Sequence, residues 1–149
     1  MRDGNEQATD EEVWRALEVA QAKDFVQEMA DGLEAEITQG GSNVSGGQRQ
    51  RLAIARAVVK RPQIYVFDDS FSALDFTTDA KLRAALKAQT RDAAVLIVAQ
   101  RVGTIMQADR IVVLADGSMA GVGTHKELLA TCETYREIVY SQLSPEEVA

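Results

Sequence analysis

The spacing of apolar residues predicts helices in the first part of the chain. Three apolar residues recur on one helical face near its start: Val13, Leu17 and Ala20. Thr9 and Glu12 form a capping-box pattern just before them, so a helix is predicted over residues 10–22. A shorter helix is expected around residues 25–29.

A third helix is predicted after a glycine-rich segment, TQGGSNVSGG at 38–47. The stretch that follows, QRQRLAIARAVVKR, places Leu52, Ala55 and Val59 on one stripe. Pro62 then ends the helical pattern, because proline cannot continue a helix.

The rest of the chain alternates strands and helices. Two short apolar runs, 64–67 and 94–99, predict buried parallel strands, and a helix is predicted between them over 78–88. The segment IVVLADGSMAGVG at 111–123 is typical of a strand, an Asp-Gly turn and a return strand. A single closing helix is expected over 125–140. This order indicates an α/β fold.

Composition and charge narrow the classes of function. The chain has 149 residues, enough for one domain with a hydrophobic core. Its net charge of −7 argues against a nucleic-acid partner, which would require a basic face. One cysteine and one histidine cannot build a zinc cluster. No apolar run approaches the roughly 20 residues of a membrane span, so any link to a membrane is expected through a partner.

Acidic residues gather after the first predicted strand. Asp68 and Asp69 end the run IYVFDD, and Asp75 follows shortly after. A carboxylate at the carboxyl end of a strand is a suitable ligand for Mg²⁺. A two-metal hydrolase built on Asp68 and Asp69 is the poorer explanation. Adjacent strand residues point to opposite faces, and no second cluster of acids or histidines completes the ligand set.

The segment Ser45-Gly46-Gly47-Gln48 stands where the glycine-rich loop becomes a helix. Exposed N–H groups and the positive end of the helix dipole make such a place an anion site, and glycines let phosphate oxygens approach closely. Helix capping by Ser45 explains the same pattern, so the residues leave both interpretations open.

The order of these motifs resembles the nucleotide-binding domain of ATP-binding cassette (ABC) proteins, in particular the exporter branch. Val44–Gln48 resembles the signature motif, and Ile64–Asp69 resembles the Walker B strand with its following acid. Ser72–Asp75 resembles the D-loop, and Gln100 stands at the switch position. The tail GTHKELL at 123–129 is also similar to exporters.

The resemblance implies a partial P-loop NTPase (RecA-like) parallel sheet with a helical signature subdomain. Residues 1–60 would form that subdomain, and residues 61–149 would form the C-terminal part of the ATP-binding core. The sequence contains no GxxxxGK[ST] loop, which in the family precedes the signature. The chain is therefore expected to be a C-terminal piece of a longer domain. Alone it is expected neither to bind ATP tightly nor to hydrolyse it.

In this family two such domains face head to tail, and ATP is clamped between one domain's Walker motifs and the other's signature. The resemblance implies that four residues contact the nucleotide bound mainly to the partner domain: Ser45, Gly46, Gly47 and Gln48. Asp68 would organise Mg²⁺, usually through water, while Ser72 and Asp75 would face the partner. Asp75 is also compatible with capping the helix that begins at Phe76.

The chain departs from the family pattern in three places. Asp69 stands where a glutamate normally positions the attacking water, and Gln100 replaces the switch histidine. An amide can touch a phosphate but cannot carry the charge of an imidazolium. Together these changes indicate a degenerate site, as on one side of heterodimeric exporters, rather than a competent homodimer. The uncharged segment 38–41 replaces an acid and an arginine that often touch the membrane domain, so it is either such a contact or a plain surface loop.

The expected partners are therefore a second ABC nucleotide-binding domain and the transmembrane domain of a transporter. They would place the chain at the cytoplasmic face of the membrane. Two other functions stay open. One is a non-transport ABC ATPase acting in DNA repair or translation, although the coiled coils and basic linkers typical of that class do not occur in the sequence. The other is a truncated remnant without enzymatic activity.

Overall fold

The computed structural model describes residues 4–144, and the chain divides into two compact units, Met1–Val98 and Ala99–Ala149. The first unit contains, in chain order, α1 (Asp10–Val19), α2 (Lys23–Glu28), α3 (Gly46–Lys60), β1 (Ile64–Asp68), α4 (Phe76–Gln89) and β2 (Ala94–Val98). Two short 3₁₀ turns, Gly32–Glu34 and Gln39–Gly41, lie between α2 and α3. The predicted α/β fold class is confirmed.

The predicted helix starts are confirmed where a capping pattern marked them. At the start of α1 the N–H of Glu12 donates to Thr9 Oγ1, and the Glu12 carboxylate accepts from the Thr9 N–H, which completes the capping box. Helix α3 ends at Lys60, and Arg61 adopts a left-handed conformation with a φ of 48° before Pro62.

Helices α1, α3 and α4 pack with one face of the sheet around a single core. Tyr65 and Phe67 point inward from β1, with 4% and 2% of their surfaces exposed. Helices α1, α3 and α4 contribute further large buried residues, and the loop after β1 adds two: Val13, Leu17, Ile54, Val58, Val59, Leu82, Leu86, Phe71 and Leu74. Residues on both sides of residue 60 thus share one core. The boundary predicted at residue 60, between the helical signature subdomain and the ATP-binding core, stays a prediction.

Strands β1 and β2 pair in parallel, as predicted, with Val66 opposite Leu96. The prediction that both strands are buried is wrong. Val66 is 61% exposed and Leu96 is 56% exposed, as are the other apolar residues of that face. Parallel sheets are normally covered on both sides. Within residues 4–144 the helices cover mainly the β1 part of one face, where Tyr65 and Phe67 lie, and leave the other face open to solvent.

The second unit contains α5 (Val102–Ile105), β3 (Ile111–Ala115), β4 (Ser118–Gly123), α6 (His125–Thr131) and α7 (Glu133–Gln142). Strands β3 and β4 form the predicted antiparallel hairpin. Asp116 and Gly117 turn the chain with φ values of 49° and 73°, which is the left-handed pair that a tight hairpin turn requires.

The prediction of one closing helix is wrong, because the chain breaks at Cys132. That residue has an extended backbone, with φ −115° and ψ 109°, and it separates α6 from α7. Its free thiol is buried against β4, where Sγ lies 3.8 Å from the carbonyl oxygen of Ala120. The break lets Leu128 of α6 and Tyr135 of α7 enter the same core. Among the helices described, none has the length and apolar character needed to cross a bilayer.

Candidate functional site

Helix α3 opens on the glycine-rich segment through a complete capping box. Ser45 Oγ accepts from the N–H of Gln48 at 3.1 Å, and Gln48 Oε1 accepts from the N–H of Ser45 at 2.9 Å. Capping by Ser45 is therefore confirmed, and it occupies the side chain of Gln48 as well. The N–H groups of Gly46 and Gly47 belong to the first turn, where helix geometry supplies no partner. No hydrogen bond from either N–H is seen within residues 4–144, so the phosphate interpretation is compatible with the cap.

The two glycines differ in the space around them. A Cβ atom on Gly47 would lie 3.0 Å from the carbonyl oxygen of Ala73, whereas one on Gly46 would lie 3.7 Å from Ala73 Cβ. Gly47 therefore permits a close approach of α3 to the loop after β1. Gly46 is exposed and meets only ordinary contact distance on its protein side.

Asp68 and Asp69 follow one another at the end of β1, and both are exposed, but their backbone conformations differ. Asp68 is the last residue of β1, and its side chain is exposed. Asp69 turns out of the sheet with a left-handed φ of 46°, a conformation that few residues other than glycine, asparagine and aspartate adopt. Its N–H donates to the carbonyl of Val98 at 3.0 Å, which continues the pairing of β1 with β2.

Gln50, which sequence reasoning missed, joins α3 to this loop. Its Nε2 donates to the carbonyl of Asp69 and to Ser72 Oγ, both at 3.0 Å, and its Oε1 accepts from the N–H of Ala73 at 3.0 Å. The available signal was a second glutamine two positions after Gln48 in GGQRQR. Its three bonds span 19 to 23 positions along the chain, so no local pattern could assign its partners.

Arg51 anchors the other side of α3 and was also missed. Its Nη1 donates to the carbonyl of Gln21 at 2.6 Å, and its Nε donates to the carbonyl of Gly47 at 3.3 Å. The guanidinium also lies over the ring of Phe25, 4.8 Å from its centre, in cation–π geometry. Burial lowers the pKa of Arg51, which stays charged. The start of α3 is thus fixed from two sides.

Asp75 caps α4. Its Oδ1 accepts from the N–H of Thr78 at 2.9 Å, and this bond is the main reason that the pKa of Asp75 lies below its ordinary value of 3.8. The capping interpretation is confirmed. The role of Asp75 and Ser72 against a partner domain stays a prediction.

Replacing Asp75 with asparagine is expected to make the chain less sensitive to acid. Because folding lowers the pKa of Asp75, its stabilisation is fully present above the unfolded value of 3.8 and is lost as pH falls through the folded pKa. Asparagine caps about as well and does not titrate there. Between about pH 5 and about pH 2, the denaturant midpoint of Asp75→Asn should therefore fall less than that of the wild type. Asp92→Asn, an exposed acid in a turn, is the control. An equal fall in Asp75→Asn and wild type would contradict the capping contribution.

Gln100 lies in the second unit, at the start of the segment before α5. Gln142 of α7 holds this segment: its Nε2 donates to the carbonyl of Gln100 at 2.8 Å, and its Oε1 accepts from the N–H of Val102 at 2.9 Å. Gln142 is the third residue that sequence reasoning missed. The prediction that Gln100 and Asp69 serve one nucleotide site stays a prediction.

Whether a metal ion could bind here depends on which side chains can act as its ligands. Among residues 4–144, no three His, Cys, Asp or Glu side chains gather closely enough to hold an ion by themselves. Mg²⁺ commonly takes only one or two protein carboxylates and completes its shell with water and substrate phosphates. The exposed carboxylate of Asp68 fits that mode, with the phosphates of a nucleotide as the other ligands.

Comparisons with known proteins agree with this arrangement. The family model described as ABC transporter matches residues 3–72. A solved structure of a bacterial Atm1-family ABC exporter with ATP bound superimposes with a TM-score of 0.89 at 34% identity, covering 95% of this chain and 25% of that chain. The chain therefore resembles ABC transporter proteins in sequence and in fold, and the resemblance predicted from the motif order is confirmed.

Two relatives illustrate the ABC proteins that the chain resembles. An uncharacterized ABC transporter ATP-binding protein of Mycobacterium tuberculosis (strain ATCC 25618 / H37Rv) is 55% identical over 134 residues, covering 90% of this chain and 23% of that protein. A multidrug resistance ABC transporter ATP-binding and permease protein of Lactococcus lactis subsp. cremoris is 40% identical over 136 residues, covering 91% of this chain and 23% of that protein. The chain thus spans about a quarter of the length of these relatives.

Proposed function

We propose that this chain supplies the signature and the acidic loop of an ATP-binding domain in an ABC exporter, at the cytoplasmic face of a membrane. It would pair head to tail with a second such domain and dock on a transmembrane domain. The observation that carries the proposal is the contact between the start of α3 and the loop after β1. Through Gly47, Ala73 and Gln50, an anion-suited helix end and an exposed acid pair lie on one rigid framework.

The chemistry follows from the donors that each segment offers. Gly46 and Gly47 present N–H groups at the positive end of a helix of 15 residues, and the proton of Ser45 Oγ is not used by the capping bond. These groups would bind the γ-phosphate of ATP held mainly by the partner domain. Asp68 would orient Mg²⁺ through water, and the ion would neutralise phosphate charge.

We further propose that the chain's own site is degenerate and belongs to a heterodimer. Asp69 is one methylene shorter than the usual glutamate, and its backbone is held by Val98 and Gln50. A base must reach its proton within hydrogen-bonding distance, and a main chain fixed in this way cannot move to compensate. Gln100 cannot supply the charge of a histidine. The intact signature would then serve mainly the partner's site.

The 149-residue chain alone is proposed to be inactive as an ATPase. Its sequence contains no GxxxxGK[ST] loop, so the backbone cradle and lysine that bind the β- and γ-phosphates are not supplied by these residues. The exposed apolar face of β1 and β2 also favours association of the chain with itself or with other proteins, because association would bury apolar surface.

The test uses a hybrid transporter, the Lactococcus lactis protein named above with its matching segment replaced by this chain. The hybrid should bind MgATP, measured with a radiolabelled or fluorescent nucleotide, and should hydrolyse it slowly. The 149-residue chain should release no phosphate from MgATP. A correctly assembled hybrid that does not bind MgATP would overturn the proposed function, and turnover by the isolated chain would overturn its inactivity.

A further inference from the structure

Gln50 makes more long-range hydrogen bonds than a surface glutamine requires. An amide side chain offers two donor hydrogens and one acceptor oxygen. In Gln50 both functions are used on a single target, the loop segment from Asp69 to Ala73, at distances of 3.0 Å. The residue lies in the second turn of α3, whose first turn carries the capping box of Ser45 and Gln48.

The bonds of Gln50 act on the strained residue of the loop. Asp69 has a left-handed backbone, a conformation that costs free energy and persists only because its surroundings hold it. Its carbonyl accepts from Gln50 Nε2 at 3.0 Å and from Ser72 Oγ at 3.1 Å, while its N–H is bound to Val98. Gln50 therefore reaches the main chain of Asp69 directly, and it also holds Ser72 and Ala73.

We propose that Gln50 is a positioning residue that couples the start of α3 to the acid at position 69. The inference rests on the proposed function, in which the start of α3 contacts the partner's nucleotide and Asp69 serves the chain's own. Because Gln50 belongs to α3, a shift of that helix when its N-terminus engages phosphate is transmitted to the backbone of Asp69. The two nucleotide sites of the dimer are then linked through one side chain.

Two substitutions of similar size separate the bonds of Gln50 from its packing. Gln50→Met removes every hydrogen bond, whereas Gln50→Glu keeps an acceptor for the Ala73 N–H and loses both donors. Amide hydrogen exchange of the 149-residue chain should become about tenfold faster at Ala73 in Gln50→Met, the effect of one net hydrogen bond. At Ala73 in Gln50→Glu it should stay close to wild type, and at Asp69 it should become faster in both variants.

This split is the result that a purely structural role would not produce, because lost packing would affect both variants alike. Gln89→Met changes an exposed glutamine at the end of α4 and should leave exchange at Asp69 and Ala73 unaltered. Unchanged exchange at both amides in Gln50→Met, or the same acceleration at Ala73 in both variants, would overturn the inference.

The functional arm uses the hybrid transporter with Asp69→Glu and Gln100→His, which is expected to turn over measurably. Adding Gln50→Met should lower kcat by about tenfold with little change in KM for ATP, since positioning acts on the transition state rather than on binding. Adding Gln89→Met should change neither. An unaltered kcat with Gln50→Met would overturn the coupling. A hybrid that fails to bind MgATP would instead contradict the proposed function, while the exchange result would still decide whether Gln50 holds the loop.

Discussion

The hybrid transporter with Asp69→Glu and Gln100→His is expected to hydrolyse ATP about 10²-fold faster than the hybrid with this chain's own residues. The added methylene advances the carboxylate by roughly 1.5 Å. The main chain cannot make up that distance, because the N–H of Asp69 is bound to Val98 and its carbonyl to Gln50. A misplacement of about 1 Å at a reacting group costs on the order of 10²-fold in rate. Phosphate release at saturating MgATP measures the effect.

Single substitutions divide this effect between the two positions. Asp69→Glu should account for most of the gain, because it restores reach, whereas Gln100→His restores a group that can carry a proton and a charge. Asp92→Glu adds the same methylene to an exposed turn and should leave turnover unchanged. If the hybrid with the native residues is already as fast as the double variant, the site is competent and the degenerate-site interpretation is wrong.

Features that depend only on residues close together in the chain could be predicted from the sequence. The capping boxes at Thr9 and Ser45 join residues three positions apart, and the Asp-Gly turn needs only the backbone freedom of two residues. The resemblance to ABC transporter proteins also followed from motif order alone. These features depend on neighbours in the chain, so a single sequence contains the necessary information.

The two wrong predictions, the burial of β1 on both faces and the single closing helix, concern features that distant parts of the chain determine. The apolar run of β1 predicted burial on both faces, but Val66 is exposed because the packed helices cover only the side of Tyr65 and Phe67. The break at Cys132 was likewise invisible, since the apolar pattern continues from Leu128 to Tyr135 across it. A pattern states which residues are suited to burial. It does not show whether another element in the described part of the chain packs against those residues.

The framework of the candidate site was the least predictable part. Gln50 and Gln142 resemble ordinary polar residues on helices, yet each binds backbone groups 19 or more positions away. Long-range side-chain bonds of this kind leave no periodic trace in a sequence. The resemblance supplied residues for the chemistry, whereas the structure supplied the side chains that hold them.

The two adjacent glycines at the start of α3 are expected to differ in how much stability they lose when replaced by alanine. Gly47→Ala should destabilise the 149-residue chain by about 1–3 kcal/mol, the usual cost of overpacking. Its Cβ would lie 3.0 Å from the carbonyl oxygen of Ala73, a residue whose N–H is already bound by Gln50 and so has little freedom to retreat. Gly46→Ala should change stability little, because its Cβ would meet only Ala73 Cβ at 3.7 Å. Denaturant unfolding of the two variants side by side measures the difference.

Gly46→Ala is expected to affect activity although it leaves stability nearly unchanged. Its exposed face is where the proposed phosphate approaches the backbone, so a methyl group there should weaken nucleotide contact while the fold is unaffected. In the hybrid with Asp69→Glu and Gln100→His, Gly46→Ala should therefore reduce turnover by about tenfold or more at unchanged stability. The methyl group keeps the phosphate away from the backbone N–H, and losing one such contact to developing charge costs at least that much. Full turnover in Gly46→Ala would place the phosphate elsewhere and remove the basis for assigning a nucleotide to this helix. Equal stability of the two alanine variants would show instead that the loop after β1 yields to α3, which would also remove the rigid contact on which the coupling through Gln50 depends.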